Sequence, residues 1–258
     1  MDAMVAAGGV PEPGDPLYEY TQGQSKAMVD VAGKPMVQWV LDALSASKGV
    51  DRVVLVGLDA ACGVACSKFL AFVPDQGGLL DNVLSGMKKV VELNPQAKYV
   101  LTVSSDVPAV TAEMIDWVIN IALESDVDVV YNVIEQRVME ERFPGSRRSY
   151  TKLKDAVVCG GDVNVVSTRM ITAELGIWEA ITAARKNVFK QAALIGYDTL
   201  LLLLMRQVTL EGALKTVSKR LGIRGRAVIC PYAEIGMDMD KPFQLEILRQ
   251  DLSRQKVQ

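Results

Sequence analysis

The residues best suited to chemistry fall into two groups, and the first is a glycine pair followed by two lysines. Gly8-Gly9 ends a short apolar run near the N-terminus, and Lys26 and Lys34 follow before the first long helical pattern. Backbone amides at a strand-to-helix turn and lysine ammonium groups both donate hydrogen bonds to phosphate oxygens. This segment therefore predicts a phosphate-binding loop. The competing interpretation is steric, because tight strand-to-helix turns use glycine and exposed lysines are common.

The second group consists of aspartates in later turns. Asp106 follows a strongly apolar strand pattern, and Asp238 and Asp240 alternate with methionine before the last helical pattern. Magnesium takes one or two carboxylates together with phosphate oxygens, and residues two apart in an extended segment share one face. Two structural interpretations compete with a metal site. Asp106 can close a turn and Asp240 can cap the next helix, although a cap leaves Asp238 unexplained.

The composition of the 258-residue chain narrows the chemistry further. It contains no histidine, which excludes mechanisms with an imidazole base, and its net charge of −3 gives no general attraction to nucleic acid or anionic lipid. The four cysteines include no CxxC pair, so we expect buried, reduced thiols of a cytoplasmic protein rather than a metal or redox site. Any reaction must then depend on carboxylates, lysines, a metal ion or substrate groups that are already ionised.

Strand and helix patterns alternate through the first half of the chain. The spacing predicts an α/β fold with a mostly parallel sheet covered by helices on both faces. Ligands bind such sheets beyond the carboxyl ends of the strands, where Gly8-Gly9, Gly77-Gly78 and Asp106 should meet. The predicted strands are 4–7, 52–57, 69–73, 98–104, 127–134, 163–166 and 226–230, and the predicted helices are 36–44, 59–67, 79–93, 112–124 and 243–252.

A helical pattern from 168 to 222 interrupts this alternation. It contains five consecutive leucines at 200–204, which are far too few to span a membrane. We expect a helical subdomain within one domain that spans residues 1–258. The leucines fit either the core of that subdomain or a homodimer contact. No signal peptide is predicted, because the chain opens with an acidic residue and soon reaches glycines.

In this order the motifs resemble those of the nucleotidyltransferase superfamily. The sequence is similar to MobA-like, or molybdenum-cofactor guanylyltransferase-like, NTP transferase domains, which are related to sugar-1-phosphate nucleotidyltransferases. The resemblance implies a Rossmann-like, GT-A-type, mostly parallel mixed sheet with helices on both faces and a helical insertion. The segments that carry it are Ala6-Ala-Gly-Gly9, Ser25-Lys26, Val31-Ala-Gly-Lys-Pro-Met36, Gly77-Gly78, Ser105-Asp-Val-Pro108 and Asp238-Met-Asp-Lys-Pro242.

The resemblance implies transfer of a nucleoside monophosphate from an NTP to a small phosphorylated acceptor, with Mg²⁺ or Mn²⁺ and with release of pyrophosphate. It implies catalytic roles for Lys26, Asp106 and Asp240, metal binding by Asp106, Asp238 and Asp240, and acceptor binding by Gly161, Asp162 and Asn164. The nucleotide-binding residues would be Ala6, Ala7, Gly8, Gly9, Lys26, Lys34, Gly77, Gly78, Asn82 and Asp106. Because an acceptor phosphate loses its second proton near pH 6, no general base is needed.

One departure from the family pattern concerns the loop between Gly9 and Lys26. Members commonly carry an arginine there that grips pyrophosphate, whereas this loop is long and acidic and has none. Lys34 or a basic residue from 137–154 can substitute. Two alternatives therefore stay open: a glycosyltransferase that uses nucleotide sugars, and an inactive nucleotide-binding module. The triphosphate-directed Lys26 argues against the first, and the retained carboxylates argue against the second.

Overall fold

The computed structural model describes residues 1–172 and 206–255. Its strands are β1 (Asp2–Ala6), β2 (Asp30–Val31), β3 (Lys34–Pro35), β4 (Arg52–Val56), β5 (Phe69–Val73), β6 (Tyr99–Ser104), β7 (Val129–Glu135), β8 (Thr151–Lys152), β9 (Val157–Gly160), β10 (Val163–Ser167) and β11 (Gly225–Ile229). Its helices are α1 (Tyr18–Thr21), α2 (Met36–Ala46), α3 (Leu79–Leu93), α4 (Ala112–Leu123), α5 (Gln136–Arg142), α6 (Leu210–Leu221) and α7 (Pro242–Gln255). None of these helices is both long and apolar enough to cross a bilayer.

Within the described residues, nine of the strands form one mixed sheet in the order β5-β4-β1-β6-β10-β7-β9-β8, and β11 pairs with β7. Strands β5, β4, β1 and β6 run parallel to one another, β10 is antiparallel to both β6 and β7, and β11 is parallel to β7. The predicted mostly parallel sheet is therefore confirmed. The register sets Ala6 beside Val56 on one side and Ser104 on the other, so β1, β4 and β6 end together.

The sheet is covered on both faces because side chains alternate along each strand. Ala3 and Val5 of β1 belong to the core on the side of α2, α4 and α7, whereas Met4 belongs to the core that includes Met87 of α3. All four of these side chains are completely buried. Burial of a large aliphatic side chain contributes roughly 1.5–3 kcal/mol, so the two cores hold the strand ends firmly in place.

Helix ends follow local side-chain chemistry where the sequence carries a clear capping signal. Thr111 precedes α4, and its hydroxyl accepts a hydrogen bond from the backbone of Met114, as the pattern predicts. Helix α3 has the predicted bounds. Pro35 lies in β3 at the N-cap of α2 rather than in the first turn of that helix.

The predicted helix at 59–67 is wrong. Only the short 3₁₀ turn Ala60–Cys62 forms, and Gly63 ends it in the left-handed conformation with a φ of 78°. The Asp59 side chain accepts a hydrogen bond from the backbone of Ala61, which favours a turn over a continued helix. Conversely, α5 and β8 form within the charged stretch after residue 135, where no element was predicted.

The predicted helical subdomain at 168–222 lies only partly within the described residues. Its described parts are the 3₁₀ turn Thr168–Thr172 and helix α6, which Thr209 caps by accepting a hydrogen bond from the backbone of Gly212. Helix α6 packs on β11, where Leu214 contacts Gly225. The leucine run at 200–204 lies outside the described residues.

The cysteines form no disulfide. Cys159 and Cys230 are buried, and burial raises the pKa of both thiols, that of Cys230 to about 11. These two thiols are therefore protonated at neutral pH. Cys62 and Cys66 are half-buried, which corrects the expectation that all four would be in the core.

Arg142 joins three elements that are distant in sequence. Its two terminal nitrogens contact the Asp251 carboxylate of α7 at 2.7 and 2.8 Å, and its Nε donates to Glu234 at 2.7 Å. A bidentate contact of this kind is stronger than an exposed ion pair. These contacts tie α5 to α7 and to Glu234, in a stretch that the sequence presents as a charged loop.

We expect Arg142→Ala to lower the free energy of unfolding by about 1–3 kcal/mol, since it leaves two largely buried carboxylates without their partner. Arg137→Ala is the matched control, because the Arg137 side chain is 78% exposed and lies 3.9 Å from an equally exposed Glu141. Urea unfolding at pH 7 measures both variants. Equal losses in the two would show that the Arg142 contacts do not stabilise the fold.

Candidate active site

The first wall of the candidate site is built by close backbone packing where β1 and β4 end. Gly57 has a φ of +101°, and a Cβ at this position would lie 2.3 Å from the Cα of Gly8. A Cβ on Gly8 would in turn lie 2.3 Å from the Asp75 carboxylate and 2.5 Å from the Asn82 amide. A side chain on Gly8 would therefore displace the Asp75 and Asn82 side chains. A Cβ on Gly9 would meet no described atom within 4 Å, so that glycine borders open space.

Asn82 shapes the neighbouring loop from the first turn of α3. Its side chain is buried, donates to Asp75 at 2.7 Å and accepts from the backbone of Gln76 at 2.8 Å. Gly77, with a φ of +80°, and Gly78 complete the turn into the helix. The amide of Asn82 thus holds the 75–78 loop against Gly8, which brings the two predicted glycine pairs to one edge of the sheet.

Lys26 lies at the centre of the second wall. Its ammonium nitrogen is 2.6 Å from Oδ2 of Asp106 and 2.8 Å from Oδ1 of Asp240. Its backbone N–H donates to the Gly9 carbonyl at 2.8 Å, and the preceding Ser25 hydroxyl donates to the Ala7 carbonyl at the same distance. The loop that follows the glycine pair therefore closes back onto it and places Lys26 beside both carboxylates.

The C-terminal carboxylates reach this edge through an extended segment after β11. Met237 and Met239 are completely buried, whereas Asp238 and Asp240 both line the cleft. The backbone N–H of Met239 donates to the Asp106 carbonyl at 3.0 Å, which ties this segment to the end of β6. The prediction that Asp238 and Asp240 share a face matches this alternation.

The two carboxylates have different partners. Asp240 contacts Lys26, whereas Asp238 forms an ion pair with Arg148, whose guanidinium also lies 3.9 Å from Asp162. The ammonium of Lys26 thus has Asp106 and Asp240 as its contacts, and Asp238 belongs to a neighbouring cluster.

Lys26 and Asp106 each stabilise the charged form of the other. Burial lowers the pKa of Lys26, but the charges of Asp106 and Asp240 outweigh burial and raise that pKa above its usual range. Burial likewise raises the pKa of Asp106, but the neighbouring ammonium outweighs it and holds the pKa below its usual range. Lys26 and Asp106 are therefore both charged at neutral pH. Two carboxylates face one ammonium, so the cluster carries a net negative charge.

The donor set fits a divalent cation held jointly with a ligand. Asp106 Oδ1 is buried and has no hydrogen-bond partner among the described residues. Within residues 1–172 and 206–255, no group of three or more acidic or cysteine side chains forms a complete metal site. Magnesium commonly uses one or two carboxylates and takes its other ligands from water and phosphate oxygens. Asp106 and Asp240 supply that number.

A cleft of about 750 Å³ extends from the carboxylates across the sheet to α6. Gly161, Asp162 and Asn164 line it, as do Tyr131 of β7 and Leu214 of α6. The Asn164 amide is used within the protein: it accepts from the backbone of Asn132 and donates to the Gly161 carbonyl, each at 2.8 Å. Asn164 therefore holds the chain at Gly161, where β9 turns into β10.

The Lys34 side chain contacts different residues from those that contact Lys26. Its ammonium forms an ion pair with Asp42 and lies 3.6 Å from the centre of the Trp39 ring, and both partners belong to α2. In the described structure this lysine is thus held against α2, and its role at the phosphates stays a prediction.

Two residues of the site carried no recognisable signal in the sequence. Arg148 lies in a charged stretch in which all basic residues look alike, and only the fold pairs it with Asp238. Gln244, in the first turn of α7, accepts from the backbone of Asp240 at 3.0 Å and donates to the Ser146 carbonyl at 3.3 Å. It links the Asp240 segment to the loop that carries Arg148.

Comparison with known proteins agrees with this fold. The MobA-like NTP transferase domain family matches residues 21–200, so the chain belongs to that family. A hypothetical transferase from Thermus thermophilus is 31% identical and has a TM-score of 0.81, with 95% of this chain and 98% of the other covered. No match to a curated protein is found.

More distant structures share the fold. The 2-C-methyl-D-erythritol 4-phosphate cytidylyltransferase from Thermus thermophilus is 15% identical, with a TM-score of 0.55 and coverage of 98% of this chain and 100% of the other. Molybdopterin-guanine dinucleotide biosynthesis protein A from Archaeoglobus fulgidus is 13% identical, with a TM-score of 0.52 and the same coverage. These likenesses confirm the Rossmann-like nucleotidyltransferase fold.

Gly57→Ala should destabilise the protein by about 3 kcal/mol or more, because it combines an unfavourable φ with a clash against the backbone of Gly8. Gly63→Ala is the matched control: its φ of +78° is also positive, but a Cβ there meets no described atom within 4 Å. We expect about 1 kcal/mol for the control. Chemical unfolding of both variants checks this, and similar losses would contradict the packing of Gly57 on Gly8.

Asp106→Asn should lower stability at pH 7 by about 1–3 kcal/mol, since Lys26 loses a charged partner. The pKa of Asp106 is lowered in the folded protein, so its stabilisation is present above the unfolded pKa of about 4. It disappears as the pH falls through the lower folded pKa. Urea unfolding of wild type and variant from pH 3 to 7 measures the difference, and a gap that does not change with pH would refute it.

Proposed function

We propose that this chain transfers a nucleoside monophosphate from an NTP to a small phosphorylated acceptor and releases pyrophosphate. The observation that carries the proposal is the meeting of Lys26 with Asp106 and Asp240 beside Gly9, at the carboxyl edge of the sheet. Sheets of this kind bind ligands at that edge. Membership of the MobA-like NTP transferase domain family supports the same reaction class.

Each group of residues in the site has a proposed role that follows from its chemistry. The backbone from Ala6 to Gly9, with Gly77 and Gly78 on the adjacent loop, approaches the nucleotide without side-chain obstruction, and Lys26 donates to the triphosphate. Asp106 and Asp240 are the proposed ligands of Mg²⁺ or Mn²⁺, which when bound neutralises charge on the reacting phosphates. Asp238, paired with Arg148, is assigned to the cleft wall rather than to the metal.

The reaction requires positioning and charge neutralisation more than proton transfer. An acceptor phosphate oxygen forms a bond to the α-phosphorus, and the bond from that phosphorus to the pyrophosphate oxygen breaks. The acceptor phosphate is already ionised at neutral pH, so the absence of histidine is no obstacle. Lys26 counters charge on the leaving pyrophosphate, the role that an arginine of the preceding loop commonly takes in this family.

The net negative charge of the Lys26 cluster makes the proposed cation necessary. A triphosphate that approaches two carboxylates and a single ammonium is repelled by their net negative charge. This repulsion is strong where water is partly excluded. The side chains of Lys26 and Asp106 are only 18% and 14% exposed. Asp106 and Asp240 would hold a divalent cation here, and its charge would reverse the sign of the local charge that the nucleotide meets.

The acceptor is proposed to occupy the cleft beyond the carboxylates. Gly161 and Asp162 border that region, and Asn164 shapes it by holding the Gly161 carbonyl. Helix α6 forms part of the same cleft, which supports the proposal that the 168–222 stretch is a subdomain of a single domain rather than a separate unit.

Thermal-shift measurements with ATP, CTP, GTP and UTP in the presence of Mg²⁺ test the proposal. At least one NTP should stabilise the wild type, and Lys26→Ala should weaken that binding by about 10–100-fold, as expected for a lost hydrogen bond between charged groups. Lys89→Ala is the control for charge, because Lys89 pairs with Glu92 on the exposed side of α3. It should bind like the wild type.

The same assay with UDP-sugars, together with a pyrophosphate-release assay, distinguishes the alternative functions. Stabilisation by UDP-sugars but not by any NTP would favour a glycosyltransferase over the proposed reaction. Stabilisation by an NTP, but no pyrophosphate release with any of a panel of sugar phosphates and polyol phosphates, would favour a nucleotide-binding module. Absence of any nucleotide effect would overturn the nucleotide site itself.

A further inference from the structure

We infer that Lys26 serves as the cation of this site when no ligand is bound, and that its ammonium must leave Asp106 and Asp240 before a divalent cation can bind them. The inference rests on the proposed function, because it assigns the order in which the same residues engage metal and nucleotide. It makes Lys26 a residue with two positions, one on the carboxylates and one on the triphosphate.

The first support is the geometry of the ammonium. One nitrogen lies within 2.8 Å of carboxylate oxygens from two segments that are far apart in the sequence. A lysine ammonium has three donors and no acceptor, so these contacts use two of its three hydrogens. The side chain thus holds the position between the two carboxylates that a shared divalent cation requires.

Burial supports the same assignment. Asp106 is largely buried, and a buried carboxylate without a counter-charge is costly. The Lys26 ammonium, whose side chain is itself only 18% exposed, supplies that counter-charge at 2.6 Å. The site is therefore stable and preformed in the absence of ligand.

The anchoring of Lys26 shows where its side chain can go. Its backbone is fixed, since the Lys26 N–H donates to the Gly9 carbonyl and the residue opens the 3₁₀ turn Lys26–Met28. Only the four-carbon stem is free to reorient, and lysine stems are flexible. Because the stem starts beside Gly9, the ammonium can pass from the carboxylates to phosphates bound at the glycine pair without moving the backbone.

The consequence is that metal and nucleotide help each other to bind. A divalent cation alone must displace the ammonium and leave it without a partner, so it binds weakly. A triphosphate offers Lys26 a new anionic partner and thereby frees Asp106 and Asp240. Since such coupling is reciprocal, the bound cation strengthens nucleotide binding by the same factor.

The test is a titration with Mn²⁺ alone, without nucleotide, in which the paramagnetic resonance signal of free Mn²⁺ gives the dissociation constant. Lys26→Met removes the ammonium and keeps most of the stem, so it should tighten Mn²⁺ binding by about tenfold or more, given the strength of charge interactions at contact distance. Lys26→Gln should also tighten Mn²⁺ binding. It retains polar contact with the carboxylates, so it takes the place of the methionine variant if that variant folds poorly.

Three further proteins complete the experiment. Lys26→Arg keeps a cation on the carboxylates and should bind Mn²⁺ as weakly as the wild type. Lys89→Met makes the same change of charge on α3 and should leave Mn²⁺ binding unchanged. Lys26→Met combined with Asp106→Asn should lose the tight binding, which locates the ion. Wild-type-like Mn²⁺ binding by both Lys26→Met and Lys26→Gln would overturn the inference.

The outcome is independent of the test of the nucleotidyl transfer. Tight Mn²⁺ binding by Lys26→Met, with no NTP effect on the wild type, would keep the role of the lysine and reject the proposed reaction. Stabilisation of the wild type by an NTP, with unchanged Mn²⁺ binding by the two neutral variants, would keep the reaction and reject the role of the lysine.

Discussion

The contact of one ammonium with two carboxylates is the interaction on which the arrangement of this chain depends. Asp106 closes the central strand β6, Asp240 precedes the last helix, and Lys26 follows the loop after β1. Lys26 and Asp106 have little exposure and must be paired, so the segments that carry them cannot be placed independently, and the more exposed Asp240 adds a second contact to the same ammonium. Their meeting requires β1 and β6 to be neighbours that end at the same level, and it requires the chain to return to that edge after β11.

Steric constraints then decide how closely ligands can approach. Gly57 packs against the backbone of Gly8, and Gly8 in turn lies under the Asp75 and Asn82 side chains, so the first glycine of the pair is in close contact on both sides. Gly9 borders open space instead. The steric interpretation of the glycine pair thus applies to Gly8, and phosphate binding is proposed for Gly9. One residue builds the wall, and the next leaves its backbone accessible.

The family match covers only part of the proposed site. The matched residues 21–200 include Lys26 and Asp106 but neither Gly8-Gly9 nor Asp240. The structure brings these outer segments onto the same edge, through the parallel pairing of β1 and the backbone contact between Met239 and Asp106. It also separates two aspartates that lie in one motif, because Asp238 pairs with Arg148 while Asp240 pairs with Lys26.

The sequence alone determined the alternation of strands and helices, the mostly parallel sheet and the edge at which Gly8-Gly9, Gly77-Gly78 and Asp106 gather. These follow from local periodicity and from the rule that parallel strands carry ligands at their carboxyl ends. The prediction from sequence was wrong where a short-range hydrogen bond determines the local structure. At Asp59 the side chain favours a turn over the predicted helix. The partners of Lys34, Arg148 and Asn164 were decided only by the tertiary structure. A long polar side chain can reach many groups, and which one it meets depends on segments that are remote in the sequence.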